Sequence, residues 1–147
     1  MKQVHLVVGI LSIALMAAVA LYGTWAWWRV RARRWFWRLL RVAQIVVIVQ
    51  VALGGVLVAT HHKPGHLHVL YGVLPLGVSL IAELLRAGSA QSILDARGYE
   101  SAQDVGREPP EVQQAVVAAI LRREYGLIAL AALVIVVLLL RAAQTAG

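Results

Sequence analysis

Five histidines are the residues in this chain best equipped for chemistry: His5, His61, His62, His66 and His68. Imidazole ligates haem iron, copper and zinc, and changes charge near neutral pH. The chain has no cysteine. That removes disulfides, thiolate metal sites, iron–sulfur clusters and cysteine nucleophiles. Six of the seven acidic residues lie between Asp95 and Glu124, far along the chain from every histidine. Spacing brings no nucleophile and base together, and glycine-rich phosphate loops are missing. No catalytic residue is therefore assigned, and a protein without catalysis of its own is expected.

His5 and His68 stand apart from the other three because of the small residues one or more turns beyond them. On a helix, the face through His5 carries Gly9, Ser12 and Met16 at steps of four, seven and eleven. The face through His68 carries Gly72, Pro75 and Ser79 at the same steps. Each histidine thus has a glycine one turn along its own face, leaving room for a flat ligand against the helix. A further face brings Gln50 and Gly54 together, with Gly55 beside it. Histidine is an axial ligand of haem iron, and bundle interiors hold such cofactors. Small residues also let helices pack closely in lipid, so the stripes have a plain packing explanation as well.

The elements that must position these residues are set by composition. Hydrophobic side chains make up 61% of the 147 residues and charged ones 14%. Mean hydropathy is +0.76. Soluble domains have about 45–50% apolar and roughly 25% charged residues. Four runs reach the roughly 20 apolar residues needed to cross a bilayer: about 4–28, 39–60, 66–85 and 125–143. None alternates as a barrel strand would, so helices are expected. The fold class predicted is all-α, a polytopic four-transmembrane-helix bundle forming a single membrane domain over 1–147. The first run is read as a retained helix and not a signal peptide, because six arginines between Arg29 and Arg41 come after it with no acid among them.

Those arginines also set the orientation. The net charge of +7 is arranged beside the apolar runs, which points to membrane topology and not to nucleic acid. With the 29–38 loop cytoplasmic, the 86–124 segment is cytoplasmic too, and both termini lie outside. Eleven basic residues then fall inside against three outside: Lys2, Lys63 and Arg141. Trp25, Trp27, Trp28, Trp35 and Trp37 gather at the inner interface as anchors. Within 86–124, glycines bound a short helix at 89–97, and Pro109-Pro110 starts another. Val112, Val116, Ala119 and Ile120 give that helix an apolar face, suited to the bilayer surface, the bundle mouth or a partner. Glu83, three residues before Arg86, is expected to pair with it.

The stretch Gln50-Val51-Ala52-Leu53-Gly54-Gly55-Val56-Leu57-Val58, a short outer turn and Leu67-His68 resemble one half of heme A synthase. The resemblance covers about residues 1–86. In that family a Gln-x-x-Leu-Gly-Gly stretch ends one helix and a histidine opens the next. An earlier helix carries the partner histidine in a Glu-x-x-His-Arg motif, and the two histidines can ligate a haem b. What the resemblance implies here is His5 as first ligand and His68 as second, with His66 as a substitute for the second. Lys2 stands at the place of the family's glutamate and Leu6 at that of its arginine. The family half also begins with one more helix, whose place the fourth helix here could fill.

Three functions remain open from the sequence. One is a small b-type haem protein for electron transfer or haem handling, beside a respiratory complex or a quinone. Another is a structural or accessory subunit of a membrane complex, without cofactor. The third is an outer-face copper or zinc site built from His61, His62, His66 and His68. The lipid bilayer is the expected partner in all three, nucleic acid in none, and association with itself or other chains stays open.

Overall fold

A computed structural model describes residues 1–31, 34–60 and 64–145. Among these residues the regular structure is helical: α1 (Lys2–Arg29), α2 (Arg34–Ala59), α3 (His66–Ala87), α4 (Ser89–Ala96), α5 (Ala102–Gly106) and α6 (Pro110–Gln144). Four of them, α1, α2, α3 and α6, are long and apolar enough to cross a membrane. The second apolar helix begins at Arg34, five residues before the 39 expected from hydropathy, because Trp35, Phe36 and Trp37 turn with the helix. The last runs from Pro110 to Gln144, so the helix expected from Pro109-Pro110 and the fourth span are one uninterrupted rod of 35 residues, in keeping with a helical pattern that only Gly126 interrupts between Pro110 and Ala143. At 1.5 Å per residue that rod is about 50 Å long, well beyond a hydrocarbon core of about 30 Å.

The element boundaries have local causes. Val30 closes α1 in a left-handed conformation (φ 47°, ψ 50°), with its N–H donating to the Ala26 carbonyl. Gly65 precedes α3 and Gly88 comes directly after it. At α5, Ser101 and Asp104 form a capping box, the Ser101 N–H and hydroxyl both donating to the Asp104 carboxylate. Pro110 occupies the first turn of α6, where its missing N–H costs nothing.

α6 packs on both α1 and α3, α1 on α2, and α2 on α3 across the thinnest of these interfaces. The core between them holds Met16, Val19, Phe36, Val47, Tyr125 and Ile128, each almost fully buried. Aromatic rings fill one end: Phe36 meets Tyr125 at 4.8 Å, and Trp37 stacks on Tyr125 at 5.5 Å. Large apolar side chains such as Leu6, Ile10, Leu21, Leu80, Leu84 and Leu130 point outward. A second, smaller core joins Leu94 of α4, Val105 of α5 and Val116 of α6. Of the apolar face expected on the first half of α6, Val116 and Ile120 are therefore covered by the chain's own two short helices.

The Glu83–Arg86 pair forms at 2.9 Å and is part of a larger cluster. Arg41 of α2 reaches the same carboxylate at 3.1 Å and Gln44 donates to it at 3.0 Å. Gln44 also donates to the Ser79 hydroxyl, and the Arg86 guanidinium lies over the Trp37 ring at 5.1 Å. Only the Arg86 contact was legible from spacing. Arg41 and Gln44 are more than thirty residues away along the chain, so helix pairing had to bring them in.

Candidate functional site

The two histidines singled out by their stripes meet. The His5 and His68 ring centroids lie 6.1 Å apart with the ring planes at 65°. Each sits in the first turns of its helix, α1 and α3, and each is half-buried. α6 lies against both helices and completes the site from its far end. The His68 Nδ1–H donates to the Ala142 carbonyl at 2.8 Å. A carbonyl can only accept, so this contact places the proton on Nδ1 and leaves Nε2 with its lone pair. Ala142 is the residue that sequence reading missed. A backbone carbonyl carries no side-chain signal, and its proximity depends on how far α6 runs.

Gln50 and the glycines explain how α1 and α2 fit around His5. The Gln50 side chain crosses from α2 to place its amide nitrogen 3.3 Å from His5 Nε2. It passes over Gly9, where a methyl group would come within 2.9 Å of that nitrogen. One turn further along α2, Gly54 leaves room for the imidazole, since a methyl group there would lie 3.2 Å from His5 Cε1. A glycine on each helix thus admits the polar side chain of the other. The space expected beside Gly9 for a flat ligand is taken by an amide instead. Gly72 and Gly55 differ, because nothing lies within 4 Å of a methyl group at either.

The His5–Gln50 pair does not satisfy itself. His5 Nδ1 and Gln50 Oε1 are buried without a hydrogen-bond partner. With the amide donating to Nε2, the proton sits on Nδ1 and has no acceptor. Turning the amide over lets Oε1 accept from Nε2–H but orphans the Nδ1 lone pair and the amide nitrogen. Either arrangement leaves a cost of about 1–3 kcal/mol per unsatisfied buried group. Such orphans are of the kind that a water, an ion or a ligand satisfies.

The remaining histidines do not join this pair. His66 opens α3 and is exposed. His61 and His62, expected to build a copper or zinc site with His66 and His68, lie outside the described residues. Among the described residues no three histidine or acidic side chains gather at metal-binding range. Ser12 and Met16 of the His5 stripe are buried, and Ser12 donates to the Val8 carbonyl at 2.8 Å. In the His68 stripe Pro75 is buried, and Ser79 accepts from Gln44.

No protein-family model, curated protein or solved structure matches the chain. The donor set, two imidazoles of which His68 keeps Nε2 free, is of the kind that ligates an iron porphyrin. Two metal–imidazole bonds of about 2.0–2.1 Å, plus the half-width of each ring, put facing imidazole centroids about 6 Å apart. The interplanar angle is no obstacle, because each imidazole can rotate about its bond to the metal.

Proposed function

We propose that this chain is a small integral membrane protein that holds a b-type haem between His5 and His68 and serves electron transfer or haem handling. The observation that carries the reading is the His5–His68 pair at 6.1 Å, with His68 Nδ1 tied to the Ala142 carbonyl. That hydrogen bond does for His68 what a supporting shell does for metal-bound histidines generally: it fixes the tautomer and makes Nε2 a better donor. Gln50 holds His5 Nε2, and with the amide oxygen accepting from Nε2–H the orphaned Nδ1 is the His5 nitrogen left for iron. Gly72 and Gly55 put no side chain on their faces of α3 and α2, and nothing lies within 4 Å of a methyl group at either. A bound haem would supply a one-electron iron couple. The partner class this implies is a respiratory complex or a membrane quinone.

The arginine asymmetry supports the orientation with both termini outside, 29–38 and 86–124 in the cytoplasm, and the histidines at the outer end of the four-helix bundle. The likeness of residues 1–86 to one half of heme A synthase supports the same two ligands. Lys2 and Leu6, at the family's glutamate and arginine, support haem holding over haem oxidation.

The test is the visible spectrum of the purified full chain, oxidised and reduced, after expression with ample haem. A six-coordinate, low-spin spectrum with sharp bands on reduction is expected. His5→Ala and His68→Ala should abolish it or convert it to a five-coordinate form, whereas His61→Ala and His66→Ala leave it unchanged. Gly72→Leu should lower haem occupancy with both ligands intact. A colourless protein overturns the proposal and favours a cofactor-free accessory subunit.

A further inference from the structure

A cavity of about 710 Å³ opens where the end of α1, the end of α4 and the middle of α6 meet. Its floor is apolar, formed by Ala118, Ala119, Gly126, Leu127 and the Trp27 ring. The Trp27 ring lies over Gly126, where a methyl group would come within 3.3 Å of it. Three arginines, Arg97, Arg122 and Arg123, line the rest. All three are exposed, and among the described residues none has an acidic partner. Arg41, Arg86 and Arg107 do have one, in Glu83 or Asp104. Glu124, next to Arg123 in sequence, does not line the cavity and sits within electrostatic reach of Arg86 and Glu83.

The depth of the cavity is fixed by its neighbours. Trp27 is two residues from the end of α1 at Arg29, and Gly126 adjoins Tyr125 in the aromatic end of the core. Arg122 and Arg123 lie one turn earlier on α6, on the part of the rod that exceeds a bilayer's hydrocarbon thickness. With 125–143 as the fourth span, as proposed above, the apolar floor would face the hydrocarbon edge and the guanidinium groups would stand at headgroup level.

We propose that this cavity binds the phosphate of an anionic glycerophospholipid, with the lipid's glycerol and upper acyl chain against Trp27 and Leu127. Guanidinium forks match phosphate oxygens in pairs, and basic pockets between membrane helices select anionic headgroups. Free phosphate would gain the charge contacts and nothing from the floor. A lipid gains both.

The experiment is native mass spectrometry of the detergent-solubilised full chain, titrated with phosphatidylglycerol, with phosphatidylcholine of the same chain length, or with inorganic phosphate. Phosphatidylglycerol should be retained in preference to phosphatidylcholine. Each arginine near an anionic lipid contributes about fivefold. The triple variant Arg97→Gln, Arg122→Gln, Arg123→Gln should therefore lose retention on the order of a hundredfold. The triple variant Arg34→Gln, Arg38→Gln, Arg107→Gln, with the same change in charge, should keep it. Ala119→Leu keeps every charge and fills the floor, and should fall to the level of the first triple variant. Equal losses in the two triple variants overturn the proposal. So do full retention by Ala119→Leu, equal retention of phosphatidylcholine, or displacement of the lipid by inorganic phosphate at matching concentration.

Discussion

Glu83 carries a prediction whose size is set by its surroundings. Its carboxylate accepts from Arg41 at 3.1 and 3.3 Å, from Arg86 Nε at 3.0 Å, and from Gln44 at 3.0 Å. The Glu83 and Arg86 side chains are 21% and 25% exposed, but Arg41 is 53% exposed. A half-exposed ion pair is worth about 0–1 kcal/mol. Less exposed hydrogen bonds to a charged group are each worth about 1.5–3 kcal/mol. Discounting these for partial exposure, Glu83→Ala should cost about 3 kcal/mol. Glu83→Gln keeps one acceptor and should cost about half of that. Arg86→Gln should cost more than Arg41→Gln, which should stay within about 1 kcal/mol. The effect is concentrated because α2 and α3 share little packing, so this cluster is their main tie. The assay is reversible unfolding in mixed micelles with increasing dodecyl sulfate, followed by tryptophan fluorescence. Trp37, beneath the Arg86 guanidinium, reports locally. If Glu83→Ala unfolds within about 0.5 kcal/mol of the parent, the cluster is a solvated surface contact and the reasoning fails.

The same unfolding assay checks three backbone predictions. A methyl group at Gly23 would meet Ala129 Cβ at 3.2 Å and Phe36 Cε2 at 3.3 Å, so Gly23→Ala should cost about 1–3 kcal/mol from overpacking. Gly77 has nothing within 4 Å, so Gly77→Ala should be neutral or stabilise by up to about 1 kcal/mol. Val30 holds a left-handed conformation unfavourable for a branched residue, and Val30→Gly should stabilise by about 1 kcal/mol. Lower stability of Val30→Gly would show that the valine side chain outweighs its backbone strain. For topology, a reporter that works only when exported should be active after Gly147. Neutralising the six arginines between Arg29 and Arg41 should mix the orientations, as read by paired reporters.

The four long helices and the identity of the two paired histidines were legible in the chain itself. Apolar runs of sufficient length leave helices as the open form of backbone pairing in lipid. The 3.6-residue period puts Gly9 one turn from His5 and Gly72 one turn from His68 whatever the packing. The Glu83–Arg86 contact was local, at a spacing of three, and so was also readable. What the period could not supply was the partner across each interface. Gly9 and Gly72 look alike in sequence, yet one is covered by Gln50 and the other faces open space. Helix rotation and the reach of α2 decide between those outcomes, and neither is written in a single helix. The Ala142 carbonyl enters the site because α6 continues to the level of α3's first turns. Likewise, Arg97 and Arg122 share a cavity only because α4 folds back onto the first half of α6. Periodicity fixes which residues share a face, and tertiary packing alone fixes what that face meets.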